Sequence, residues 1–357
     1  MRRRGALVVG VVFALLGGCA DGTADDALTI ALLLPESKTA RYESHDRPAF
    51  EDRIAELCPT CETLYGNANQ DAARQQAQAE AAITNGADVL VLDPVDSVAA
   101  AVIASQARAA GLPVIAYDRL VLDAPIDFHL TSDNERVGEL QAQALVAVVR
   151  ERGRDGDIVM LNGAPTDDNA GQFKTGAHRI LDAAAVTVGA EFDVPDWSPD
   201  QAQERMERAI AALGRSRIVG VYAANDGMAA GAIAAMRAAG LDPLPPVTGQ
   251  DAELAAIQRI LLGEQHMTVY KFIRRQAEVA AEMALTLARG GALPAEVVTT
   301  HVDNGAGLVP TLELEPVAVT ATTIGATVVA EGYWSVAEIC EPRVRAACDA
   351  VGLRWAP

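Results

Sequence analysis

Residues 87–119 read ADVLVLDPVDSVAAAVIASQARAAGLPVIAYDR. VLVL and VIAY are short apolar runs, without the polar alternation of a half-exposed strand, so both suit strands covered on two faces. Between them lies an Ala-rich segment, Val98 to Ala110, with helical periodicity. A strand, a helix and a second buried strand make the crossover unit from which parallel sheets are built. The second strand ends abruptly on an acid and a guanidinium, Asp118 and Arg119.

The same alternation continues in both directions. LTIALLL (28–34) precedes a helix near Arg47 to Leu57, and DIVMLNG (157–163) precedes one over Gly171 to Ala183. IVGVYAAN (218–225) leads to Gly227–Ala239, PVTGQD (246–251) to Glu253–Leu262, and HMTVYK (266–271) to Arg275–Arg289. The expected fold class is α/β, with parallel sheets carrying helices on both faces. The sequence has 357 residues, enough for two domains with separate cores.

Basic MRRR, apolar GALVVGVVFALLG and small-residue GGCADG open the chain as a secretion signal does. Leu16-Gly17-Gly18-Cys19 resembles a bacterial lipobox, giving a signal peptide over 1–18, a lipidated Cys19 that anchors the chain to the cell membrane, and a tether over 19–27. Cys58, Cys61, Cys340 and Cys348 then remain, an even number in an exported chain. Two local disulfides are the economical reading. A redox or zinc motif at Cys58-Pro59-Thr60-Cys61 lacks a preceding thioredoxin-like strand and a second pair beside it. The net charge, 29 basic minus 48 acidic residues or −19, excludes nucleic acid as a partner.

In open α/β sheets ligands sit beyond the carboxyl ends of the strands. Those ends read Asp118-Arg119, Asn162-Gly163, Asn225-Asp226, Gln250-Asp251 and Lys271. Asn and Asp at strand ends also cap helices, but Arg119 and Lys271 have no such explanation. Asp118, Asp167 and Asp251 set against Arg41, Arg119 and Lys271 form a balanced collection of acceptors and donors, suited to the hydroxyls of a neutral polyol. Tyr42 and Trp197 lie in loops where a ring can meet the apolar face of a sugar. The sequence carries no G-x-S-x-G, no H-E-x-x-H and no other metal spacing, and each site acid has a basic neighbour expected to keep it ionised, so neither an enzyme nor a cofactor is expected. His129, His178, His266 and His301 read as ordinary loop or surface residues.

Four segments carry a resemblance: VIAYDRLVLDAPIDFHLTSDNERVGELQAQAL, GAPTDDNAGQF, AANDGMAAGAIAAM, and GQDAELAAIQRI followed by MTVYK. They are closely similar to the type I periplasmic sugar-binding family of bacterial ABC importers, its xylose binders above all, in order from about Leu28 to past Gly332. The resemblance implies two Rossmann-like lobes joined by three hinge crossovers, with a monosaccharide, D-xylose first, held in the cleft and delivered to an ABC transporter permease by a monomer. It implies Arg41, Asp118, Arg119, Asp167, Asn169, Asn225, Asp251 and Lys271 as sugar ligands, with Tyr42 and Trp197 stacking on the ring. It places 28–132 plus 273–301 in the N-terminal lobe and 133–272 plus 302–330 in the C-terminal lobe, leaving 331–357 as a disulfide-pinned C-terminal extension. Tyr42 departs from the Trp of the xylose binders, and the cysteine pairs and lipobox are additions. A receptor for a membrane sensor uses the same cleft and is the alternative. A repressor of this fold needs a helix-turn-helix where this chain has its signal.

Overall fold

A computed structural model describes residues 27–354. Chain order begins with β1 (Thr29–Leu34), α1 (Arg47–Leu57), β2 (Glu62–Asn67), α2 (Ala72–Thr84), β3 (Val89–Leu92), α3 (Ala101–Ala109), β4 (Val114–Tyr117) and β5 (Phe128–Ser132). The chain then enters a second lobe with α4 (Asn134–Glu151), β6 (Asp157–Asn162), α5 (Asp168–Ala183), β7 (Thr187–Asp193), α6 (Pro199–Leu213), β8 (Ile218–Ala223), α7 (Asp226–Ala238), α8 (Leu254–Leu261) and β9 (Thr268–Tyr270). It returns with α9 (Ile273–Ala288), β10 (Thr300–Asp303) and β11 (Leu308–Leu314), then crosses back with β12 (Val317–Val319) and two short helices, α10 (Val336–Ile339) and α11 (Arg345–Ala350). Three crossings therefore join the lobes, at 132–134, 271–273 and 314–317.

The first sheet has the order β10-β11-β5-β4-β3-β1-β2, parallel except for β10. One face packs Ile30, Leu32 and Leu34 with Phe50, Ile54 and Ala280; the other packs Ala31 and Leu33 with Ala79, Ile103 and Ala104. The continuous apolar strands are thus buried on both faces, as expected from their composition. In the second lobe β7-β6-β8 form one ladder and β9 pairs with β12. Residues 246–251 bridge the two: Val221 N–H donates to Pro246 O, and Val269 N–H to Gly249 O. PVTGQD reads as a strand but makes only one isolated bridge, because Pro245 and Pro246 supply no N–H to the ladder. The helices α4 and α5 cross at two glycines; a Cβ at Gly138 would lie 1.9 Å from Phe173 O, and one at Gly176 would lie 1.9 Å from Glu135 O. That close approach brings the start of α5 to the cleft.

Residues 302–314 correct the expected lobe division. They belong to the first sheet, where β11 runs parallel to β5 with Thr311 opposite His129 and buries Val309 and Leu312. The chain rejoins the second lobe only at β12. Both expected disulfides are formed, Cys58–Cys61 and Cys340–Cys348. Besides its disulfide, the tail after Gly332 is held by packing: Tyr333, Ile339, Cys340, Val344, Cys348 and Leu353 share a core with Ile257, Ile260 and Tyr270 of the second lobe. Cys19 and the signal segment lie outside the described residues.

Candidate functional site

Strand ends, helix starts and two left-handed turns converge between the lobes. Asp118 follows β4 with φ 59°, and Asp251 follows the bridging segment with φ 87°. Such backbone is disfavoured for residues with a Cβ and persists where the surroundings over-determine it. At Asp118 the cause is visible: its carbonyl accepts from Asn169 Nδ2 at 3.2 Å and lies 3.4 Å from His129 Nε2. His129, expected at the surface, is buried on β5, and burial pushes its imidazole down to about 4, so the ring is neutral at physiological pH. Trp197 has φ 52° and lies over Gly163 at the end of β6; a Cβ there would stand 2.1 Å from the indole.

All ten sequence-named ligand residues line one cavity, together with Thr39, Phe173 and Gln250. Arg41, Tyr42, Asp118 and Arg119 come from the first lobe; Asp167, Asn169, Trp197, Asn225, Asp251 and Lys271 come from the second. Arg41 opens a short helical turn rather than a loop, and its Nε and Nη2 donate to Asp46 at 2.9 and 2.6 Å. Its Nη1 donates to Asp118 Oδ2 at 3.1 Å and stands 3.8 Å from Asp251 Oδ1. Arg119 Nε meets Asp167 Oδ2 across the cleft at 2.9 Å, and Trp197 Nε1 donates to the same oxygen at 3.1 Å. Lys271 Nζ sits 3.7 Å from Asp118 Oδ1 and 3.4 Å from Asp251 Oδ1. Asn225 Nδ2 donates to Thr39 Oγ1 in the opposite lobe at 3.4 Å.

Capping and lining the site are compatible roles. Asp167 caps α5 by accepting from Asn169 N–H with Oδ1, leaving Oδ2 for Arg119 and Trp197. Asn225 caps α7 through Oδ1 and offers its amide nitrogen to the other lobe. Two strand-end residues turn away: Asn162 donates to Glu191 and Asp193, and Asp226 accepts from Gln265 and Thr268.

The charge arithmetic differs from the expected three against three, because Asp46 and Asp93 stand behind the wall and are fully buried. Asp46 neutralises Arg41 through the paired bonds and also accepts from Tyr117. Burial raises the Asp93 carboxyl well above its ordinary range, outweighing Arg119 at 3.5 Å. Burial also raises Asp167, against the opposing pull of Arg119. Of the site acids, Asp167 is thus raised despite its basic neighbour, and outside the cavity burial pushes the carboxyls of Asp226 and Glu253 up to about 7 and about 8. Asp118 behaves oppositely: burial works to raise it, but Arg41, Lys271 and Arg119 together hold it well below the usual carboxylate range. Counting Asp46 with Asp118, Asp167 and Asp251, four carboxyl groups face three cations, with Asp93 raised by burial behind them, so a neutral ligand fits and a further anion is opposed.

The periplasmic binding protein domain family matches residues 30–292. The chain belongs to that family. Type I sugar-binding proteins of ABC transporters are its relatives, and they are extracytoplasmic, non-catalytic solute carriers. The D-xylose-binding periplasmic protein of Escherichia coli (strain K12) is 36% identical over 314 residues, covering 87% of this chain and 92% of that protein. A multiple sugar-binding periplasmic protein of Azospirillum brasilense is 32% identical over 333 residues, covering 88% and 92%. Among solved structures, a solute-binding protein from Clostridium phytofermentans with bound β-D-glucose superposes with a TM-score of 0.79 at 28% identity, covering 87% of this chain and 99% of that one.

Thr39 and Phe173 are not picked out by the sequence, and Gln250 is marked there only as a strand end, not as a ligand. Gln250 stands beside Asp251 at a strand end and was marked by position; Phe173 follows the α5 cap by six residues and reads as helix packing. Thr39 carries no signal in the sequence.

Proposed function

We propose that this periplasmic binding protein captures a neutral monosaccharide, D-xylose first among candidates, between its lobes and delivers it as a monomer to an ABC permease, held at the membrane by lipidated Cys19. The observation that carries the reading is a pair of buried acceptors with ion-pair neighbours but no hydrogen bond. Among the described residues Asp118 Oδ1 and Asp251 Oδ1 each find no hydrogen-bond partner, line the same cavity, and flank the Lys271 ammonium. An unpaired buried carboxylate oxygen is costly, and sugar hydroxyls satisfy it by donating. The same hydroxyls accept from Lys271 and from the amides of Asn169 and Asn225, while the indole of Trp197 and the ring of Phe173 cover C–H faces.

The lobes are closed in this structure. Besides Arg119 with Asp167, Ser97 N–H donates to Thr166 O at 3.0 Å and Asp168 N–H to Ser97 Oγ at 3.3 Å, all across the cleft. A sugar enters the open form, and its contacts to both lobes favour closure, the state presented to the permease. The named sugars of the relatives support the class of ligand, and D-xylose-binding periplasmic proteins among them are 36% identical to this chain. Tyr42 leaves one wall different from theirs, its hydroxyl 3.4 Å from Asp118 Oδ2. Thermal shift of the chain from residue 20 onward against a panel of neutral and anionic monosaccharides tests this. A neutral pentose or hexose well above its Kd raises the Tm, since ligand bound only to the native state adds stability; a response only to sugar acids or phosphates overturns it.

A further inference from the structure

The C-terminal tail reaches the back of the ligand site from outside the cavity. Tyr333 OH donates to Asp251 O at 3.2 Å, and Trp334 Nε1 donates to Ala252 O at 2.8 Å. Asp251 and Ala252 are consecutive left-handed residues, φ 87° and 51°, and neither is glycine. The amides in the same turn are also tied: Asp251 N–H donates to Val269 O at 2.8 Å and Ala252 N–H to Thr268 Oγ1 at 3.2 Å. Strain of this kind is held by surrounding contacts, and here two of the four come from the tail.

The same two rings touch the first lobe. Tyr333 stacks on His45 with ring centroids 3.9 Å apart, and Trp334 meets that imidazole edge-on at 4.4 Å. His45 precedes Asp46, the carboxylate that grips Arg41. Burial lowers the His45 imidazole to about 4, so at neutral pH an uncharged ring lies between the two aromatics. On the far side Tyr333 packs against Tyr270 of β9 at 4.8 Å. The Cys340–Cys348 disulfide and the Ser335–Glu338 capping box fix the segment that follows.

We infer that Tyr333 and Trp334 are positioning residues for the sugar site: the tail clasps the Asp251–Ala252 turn from behind, aims the Asp251 carboxylate into the cavity, and ties that turn to the His45–Asp46–Arg41 side of the opposite lobe. This rests on the sugar-binding reading for its effect on affinity, but its structural half does not need a ligand. The side chains act through Asp251 and do not touch the cavity.

Tyr333→Phe and Trp334→Phe keep both rings and remove only the two donors. Combined, they weaken binding of the best monosaccharide by about tenfold, the loss of two neutral hydrogen bonds. A general packing defect lowers affinity equally in any background, whereas a positioning role is spent once Asp251 can no longer act. In an Asp251→Asn background the pair therefore produces less than a twofold further change. An equal loss in both backgrounds, or no loss in the native one, overturns the proposal. Amide hydrogen exchange on the unliganded chain supplies the independent readout: the double variant exchanges faster at Asp251 and Ala252 while α4 and α5 keep their protection. Unaltered exchange at those two amides also overturns it, and a chain that binds no monosaccharide at all refutes the ligand reading while leaving this exchange test decisive.

Discussion

Asp118→Asn isolates one charged acceptor with almost no change of shape. Oδ2 accepts from Arg41 Nη1 at 3.1 Å and lies 3.4 Å from the Tyr42 hydroxyl, while Oδ1 has no hydrogen-bond partner among the described residues and faces Lys271 at 3.7 Å. An asparagine must keep its carbonyl oxygen toward Arg41, because a buried guanidinium N–H needs an acceptor. Its amide nitrogen then points into the cavity beside the Lys271 ammonium, and an acceptor for a sugar hydroxyl has become a donor. A hydrogen bond to a charged group contributes about 1.5–3 kcal/mol. At about 1.4 kcal/mol per decade, the Kd rises about 10- to 150-fold. Isothermal titration with the tightest-binding neutral monosaccharide measures it, with circular dichroism confirming an intact fold. A folded variant whose Kd changes less than threefold refutes Asp118 as a ligand.

Three further outcomes follow from the geometry. Arg119→Lys cannot reproduce the simultaneous contacts to Asp167, Tyr42 OH and Pro94 O; sugar affinity drops at least tenfold, mostly in the dissociation rate measured by stopped-flow fluorescence, and an unchanged rate contradicts the cross-lobe role. Gly138→Ala drives a methyl against Phe173 O and lowers stability by about 1–3 kcal/mol in urea melts; a neutral substitution shows that α4 and α5 do not cross this closely. Asp226 and Glu253 are raised by burial from 3.8 and 4.5 to about 7 and about 8. Their folded values exceed the unfolded ones, so the stabilisation they give is full below about pH 4 and is lost as pH rises toward 8. The Tm therefore declines between about pH 4 and pH 8 and levels off above that, and Glu253→Gln flattens the slope; an equally steep slope in the variant assigns it to other groups.

The strand–helix alternation was legible because buried parallel strands are apolar throughout, and Arg47–Leu57 and Asp157–Asn162 emerge nearly where the periodicity sets them. β2 and β7 were not read: ETLYGN and TVGAEFD are half-exposed edge strands whose mixed polarity resembles loop. The lobe of residues 302–314 is misplaced when read from sequence because β11 finds its partner far back in the chain, Thr311 opposite His129, and pairing at such range leaves no local trace. In the site, Asp118, Arg119 and Lys271 stood out as charges that end apolar runs. Asp46 and Asp93 did not, since one sits in a helical turn and the other reads as a turn before proline; only the folded chain shows both buried against arginines. His129 was misjudged for a similar reason, as FHLTS alternates in sequence yet is covered on both faces.

The most direct test is a crystal structure of the chain with its tightest-binding monosaccharide. The account predicts the sugar in the interlobe cavity, hydroxyls within hydrogen-bond distance of Asp118 Oδ1, Asp251 Oδ1 and Lys271 Nζ, and a ring face against Trp197. A sugar bound elsewhere, or one in the cleft that leaves both of those carboxylate oxygens unpaired, contradicts it.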